Sequence, residues 1–133
     1  MIRLYDYVLS GSCYKIRLML SILGLEHEPV PVDFYPGRTH KEPDFLDLNP
    51  LGQLPVLEDD DVRLHDAQAI LIYLAGKYDA GRSWFPTDAP SQGEIAMWLS
   101  FAGGEIMNAS AARLHDMLGY DLDVEKARAA AHD

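Results

Sequence analysis

The sequence predicts an α/β domain of element order β-α-β-α-β-β-α followed by an all-α segment. Over residues 1–80, short apolar runs bounded by Gly, Pro and Ser alternate with helically spaced stretches. A proline, Pro55, opens the apolar run Val56-Leu57, and a proline that cannot donate to a ladder belongs at a strand's first residue or on an edge. Beyond an interval rich in Gly, Pro, Ser and Asp, the composition stays helical.

Ile2 to Tyr7 is a short apolar strand, broken by Ser10-Gly11-Ser12. From Tyr14 to Leu23, Ile16, Leu20 and Leu23 share a helical face, and Gly24 sits just past the end, where a left-handed backbone closes a helix. Glu28 to Phe34 alternates and is a second strand, parallel to the first because a helix separates them. Pro36 to Asn49 is loop with a helical turn near Asp44-Phe45-Leu46. Pro55 to Leu57 and Val62 to His65 form a hairpin across the acidic turn Glu58-Asp59-Asp60-Asp61. Ala67 to Tyr78 is a helix with Ile70, Leu71 and Leu74 facing inward, which completes a mixed sheet with helices on both faces.

From Asp79 to Ala89 the pattern lapses, so the boundaries fall at 1–80 for the first domain, 81–89 for a linker and 90–133 for the helical region. Ser91 to Met117 reads as one helix with Ile95, Trp98, Leu99 and Ala102 on a stripe, weakened by Gly103-Gly104. Asp123 to His132 begins another. Two helices make a poor domain alone, so they are expected to pack on the first domain, pair with a second subunit, or belong to a longer parent chain.

Composition removes several function classes. With 133 residues and 48% hydrophobic content, the chain can bury a core of roughly one domain. A formal charge of −10 with scattered basic residues excludes nucleic acid as a partner. One cysteine excludes an internal disulfide framework and suits a reducing compartment. The start lacks a secretory apolar region and no stretch is long enough to cross a bilayer, so the expectation is a soluble cytoplasmic protein with no membrane partner. The histidines His27, His65, His115 and His132 show no metal spacing, and no metal is expected.

The candidate site lies where two features meet. With a cis bond at Leu54-Pro55, the Leu54 N–H and C=O would turn outward, free to pair with an extended guest. Asp66 stands where a helix begins; its N–H groups would hold a carboxylate, and its side chain an ammonium. Together they describe a receptor for a small peptide-like zwitterion. Taken singly, an edge proline and an N-cap aspartate need no ligand.

Ser10-Gly11-Ser12-Cys13-Tyr14-Lys15-Ile16-Arg17, His40-Lys41, Gln53-Leu54-Pro55-Val56 and Asp66-Ala67 together resemble the N-terminal domain of cytosolic glutathione transferases. The resemblance covers about the first 85 residues. It implies a thioredoxin-like domain followed by an incomplete all-α domain, since the family's helical domain is normally longer. It also implies glutathione as co-substrate, a small electrophile and a homodimer.

Residue roles are carried over on the same ground. In serine-type members a hydroxyl at the end of strand one hydrogen-bonds the glutathione sulfur; counted back from Gly24 that position is Ser10, while the cysteine of another class falls on Ser12. Both stay candidates, with Ser10 favoured and helix capping assigned to Ser12. Cys13 keeps Cys-x-x-Cys spacing with a serine in first place, so dithiol exchange is unavailable and a buried apolar role is expected. Gln53, Leu54 and Pro55 match the family's glutathione-backbone positions, and Asp66-Ala67 stands where Glu-Ser is common, one hydroxyl donor fewer. His40-Lys41 matches a pair that grips the glycyl carboxylate in some classes, or is an ordinary solvated loop. Lys15 and Arg17 are expected to snorkel, Tyr5 to be core, and Met97 and Trp98 to pack between domains or line a dimer contact or pocket.

The implied function is conjugation of the glutathione thiolate to small electrophiles, a detoxification chemistry. Two alternatives remain: a non-catalytic binding or adaptor module, which Ala67 would suit, and a glutathione-dependent isomerase, dehalogenase or etherase.

Overall fold

Ile2 and Leu4 alternate with Arg3 and Tyr5 along β1 (Ile2–Asp6), and this period of two supplies one strand face to each of two cores. A computed structural model describes residues 1–119 and 123–132; residues 120–122 and 133, inside the predicted helical region, lie outside the described residues. After β1 come α1 (Gly11–Ile22), β2 (Glu28–Pro31), a 3-10 turn at Thr39–Lys41, α2 (Pro43–Leu48), β3 (Val56–Asp59), β4 (Val62–His65) and α3 (Ala67–Tyr78). This is the predicted thioredoxin-like order. The sheet runs β2-β1-β3-β4, with β1 and β2 parallel and the other pairs antiparallel.

Ile2, Leu4 and Leu57 point to the side of α1 and α3, where Ile16, Leu20, Ile70 and Leu74 are buried with them. Val56 points the other way, onto Phe45 of α2 and Val32. Tyr5 is half-buried there, its ring edge-on to Phe45 at 6.3 Å, with its hydroxyl donating to Glu58 at 3.1 Å.

Several boundaries move for physical reasons. The first helix begins at Gly11 rather than Tyr14, and its cap is Ser10 rather than Ser12: the Ser10 Oγ accepts the Cys13 N–H at 3.2 Å, and its carbonyl accepts the Tyr14 N–H at 2.9 Å. At the other end Gly24 adopts φ +65, the Leu25 N–H reaches the Leu20 carbonyl and the Gly24 N–H that of Ser21. β2 stops at Pro31 because Pro29 and Pro31 lack donors, and it lies on an edge.

β3 extends to Asp59, which its acidic neighbours place in a turn. Asp59 is 2% exposed, and its Oδ2 accepts from Lys77 Nζ at 2.6 Å, the Tyr78 hydroxyl at 2.6 Å and the Tyr73 hydroxyl at 2.9 Å. Burial would raise its pKa, but donation from Lys77, Tyr78 and Tyr73 outweighs burial and holds the carboxyl below its ordinary range.

The chain divides into two compact units, one of residues Met1–Phe85 and a second from Pro86 onward. In the second, the single predicted helix is two, α4 (Ala89–Gly103) and α5 (Glu105–Leu118), separated at Gly104; α6 (Val124–His132) comes last. Trp98 leaves the predicted stripe: it is 58% exposed and meets Phe101 edge-on at 5.9 Å. Among the described residues, no helix is long and apolar enough to cross a membrane.

Candidate functional site

Strand register assembles the site. Tyr5 lies opposite Val56, and Val56 opposite His65, so the residue after β1, the residues before β3 and the residue after β4 all emerge at one end of the sheet. The first leads to Ser10, the second are Leu54 and Pro55, the third is Asp66. In open α/β sheets the carboxyl ends of strands are where ligands bind.

Ser10 caps α1 with its oxygen as acceptor, and its hydroxyl also lies within hydrogen-bond reach of the Cys13 sulfur. The Ser10 N–H bonds the Tyr7 carbonyl at 2.9 Å, fixing the turn that carries it. Ser12 is the second residue of the helix. Cys13 is wholly buried, and burial pushes its thiol up to about 11, more than the Ser10 hydroxyl and the Tyr7 backbone pull it down. It stays a protonated apolar residue at neutral pH.

The Leu54–Pro55 bond is cis, as expected, and a second cis bond, at Tyr35–Pro36, joins it without a signal in the sequence pattern. Among the described residues, Leu54 takes part in no turn, loop or cap hydrogen bond of the backbone. The segment leading to it is built by Asn49, to which the sequence alone assigns no role. Asn49 is wholly buried; its Nδ2 donates to the Gln53 carbonyl at 2.9 Å and its Oδ1 accepts the Leu51 N–H at 3.1 Å. The signal was the Asn-Pro dipeptide, which marks a turn without saying that its amide is buried. Gln53 itself is exposed.

Gly52 welds this segment to the 3-10 turn. It adopts φ +57, and a Cβ there would stand 2.6 Å from the His40 carbonyl oxygen. Lys41 Nζ bonds the Gly52 carbonyl at 3.1 Å and the Leu51 carbonyl at 3.3 Å, leaving one of its three donors. The solvated-loop alternative fails for His40. It is wholly buried, stacked on Phe34 at 4.1 Å, and neither ring nitrogen has a hydrogen-bond partner among the described residues. Burial, then the Lys41 and Arg38 cations, lower its pKa, so the ring is neutral at pH 7. Unpaired buried polar groups are rare and costly, which singles out His40, although its ring lies away from any surface a ligand reaches in this structure.

Asp66 has φ +78 and ψ 120, outside the ordinary wells for a side chain with a Cβ. Such a conformation costs about 1–3 kcal/mol and persists where the surroundings impose it. Its Oδ2 accepts the Ala69 N–H at 3.1 Å, capping the twelve residues of α3. The N–H of Ala67 comes next, in the first turn, where helix geometry supplies no carbonyl four residues back. Ala67 itself is 3% exposed and packs in the core.

Arg17 departs from expectation. It does not extend into solvent: its Nη1 pairs with Asp6 Oδ1 and its Nη2 donates to the Val8 carbonyl at 3.2 Å. No group of three His, Cys, Asp or Glu among the described residues is placed to hold a metal ion.

Comparison with known proteins bears on the family and the fold. Residues 1–76 match the family model described as Glutathione S-transferase, N-terminal domain. The chain is 41% identical over 99 residues to Glutathione S-transferase 3 of Zea mays, covering 74% of this chain and 44% of that protein. Glutathione S-transferase F13 of Arabidopsis thaliana is 32% identical over 130 residues, 96% of this chain and 59% of that one. Maleylacetoacetate isomerase of Rhizobium meliloti (strain 1021) is 41% identical over 76 residues, 57% of this chain and 35% of that one. The solved structure of Glutathione Transferase E6 from Drosophila melanogaster superposes with a TM-score of 0.83 at 27% identity, covering 96% of this chain and 60% of that chain. Human glutathione transferase theta-2, in complex with glutathione and an unknown ligand, gives 0.82 at 28%, covering 99% and 57%. The chain thus spans less than two thirds of the length of these relatives. By family model, relatives and fold alike, the chain belongs to the glutathione S-transferase family and carries its N-terminal domain.

Proposed function

We propose that this protein is a cytoplasmic glutathione transferase that joins the glutathione thiolate to small electrophiles, with Ser10 stabilising the sulfur anion. The observation that carries the reading is the meeting at one sheet end of three things: the Leu54 main chain without a backbone partner, the α3 start capped by a strained Asp66, and the Ser10 hydroxyl at the start of α1. Leu54 pairs with the cysteinyl backbone. The α3 N-terminus and Gln53 take the γ-glutamyl carboxylate, and Asp66 the ammonium. The remaining donor of Lys41 takes the glycyl carboxylate; His40, buried against Phe34, supports that turn, and Pro55 shapes the wall.

A free thiol has a pKa near 8.5 and is mostly protonated at neutral pH, while only the thiolate attacks carbon. A hydrogen bond to a charged group contributes about 1.5–3 kcal/mol, which lowers a thiol pKa by roughly one to two units. Ser10 supplies that bond, and the positive end of α1 adds to it. The sulfur then forms the new C–S bond as the leaving group departs with its electron pair.

Retention on immobilised glutathione, with elution by free glutathione, tests binding; conjugation of a chloronitroaromatic electrophile tests transfer. A chain that binds but does not conjugate is the isomerase, dehalogenase or etherase of the second reading, which the similarity to a maleylacetoacetate isomerase favours. No retention at millimolar glutathione leaves the adaptor reading, which Ala67 favours.

A further inference from the structure

The turn carrying Ser10 is held from inside α1. Arg17 lies two turns into the helix, yet its guanidinium reaches back to two points of the preceding chain, the Asp6 carboxylate at the end of β1 and the Val8 carbonyl in the middle of the turn. Its side chain is 27% exposed and that of Asp6 15%, so the pair is partly withdrawn from water. The Tyr14 ring lies under the guanidinium, 5.8 Å from centre to carbon, which limits its tilt. Only a planar fork makes both contacts at once; an ammonium on a flexible stem does not reproduce that geometry.

Four residues separate Asp6 from the helix, and few bonds define them. The Ser10 N–H to the Tyr7 carbonyl closes one end of the turn. Among the described residues, the bond from Arg17 to the Val8 carbonyl ties the middle of the turn sideways to the helix. We propose that Arg17 is a positioning residue, a clasp that sets where the Ser10 hydroxyl stands relative to the sulfur at the mouth of the site. It touches neither substrate nor sulfur and acts only through the turn. The proposal rests on the reading of Ser10 as the thiolate's hydrogen-bond donor.

The test is the thiol pKa of bound glutathione, tracked by thiolate ultraviolet absorbance on the full chain. Arg17→Met is expected to raise it by about one unit, tenfold less thiolate below the pKa, with KM for glutathione changed less than about twofold. Arg17→Lys, which keeps the charge opposite Asp6 and loses the fork, falls between, and keeps the test decisive if Arg17→Met does not fold. In a Ser10→Ala background Arg17→Met adds nothing, because both act through one bond. If Ser10→Ala raises the thiol pKa and Arg17→Met only lowers the melting temperature, the clasp is merely structural and the proposal falls alone. If Ser10→Ala leaves the thiol pKa unchanged, the serine reading falls and takes this one with it.

Discussion

A serine hydroxyl has one hydrogen and two lone pairs; the Cys13 N–H occupies a lone pair of Ser10, and the hydrogen, within reach of the Cys13 sulfur, is the one a bound thiolate would draw. On the proposed reading Ser10→Ala removes a cap and a sulfur donor together; turnover is expected to drop at least about tenfold, and Ser12→Ala to change it less than about twofold. A steady-state assay of both variants checks this, and the reverse order would move the role to Ser12. On the proposed reading the Asp66 charge holds the ligand ammonium, while either form of the side chain can cap α3. Asp66→Asn is thus expected to weaken glutathione binding by about tenfold or more by calorimetry while leaving the melting temperature nearly unchanged. His40 carries a pH prediction. Its folded pKa lies below the ordinary 6.5, so in acid the unfolded chain binds a proton that the native chain refuses. Its stabilising share is complete above pH 6.5 and is lost as the pH falls through the depressed native value. Urea midpoints at pH 7.5 and 5.5 should show a smaller acid loss in His40→Phe than in the natural chain.

At the scale of elements, register makes the sheet end, and the residues flanking each strand make the site. The apolar runs of β1 and β3 were legible, and so was the hairpin into α3, because apolar runs and turn residues are local signals. Asp59 shows where local signals stop. In a run of four acidic residues it is indistinguishable from its neighbours, and only the packing of α3 over β3 tells that Lys77, Tyr73 and Tyr78 converge on it. Removing one partner of a buried pair costs about 3–5 kcal/mol. Because Lys77 can regain water, Asp59→Ala is expected to cost near 3 kcal/mol in urea unfolding, the low end of that range. A loss below about 1 kcal/mol would mean that the three donors contribute no more than a surface pair.

Over the whole molecule, α4 has no buried residue, and Met97, Trp98 and Phe101 are 56%, 58% and 45% exposed. The homodimer that the family resemblance implies would give that apolar surface a partner. Sedimentation at micromolar concentration should return twice the mass of 14.9 kDa, and Trp98→Asp should return the single chain. A natural chain that sediments as a monomer overturns this.

Periodicity, turn chemistry and composition, all properties of neighbours along the chain, determined by themselves the element order of the first domain, the proline before β3 and the Gly24 helix end. Packing decided the rest, because each such fact depends on residues distant in sequence. The ring of His40 is buried and unpaired where Phe34 stacks on it; Gly52 is required both by its φ of +57 and because the His40 carbonyl passes within 2.6 Å of its missing Cβ. Arg17 turns from a solvated side chain into a clasp only because β1 ends where its guanidinium can reach.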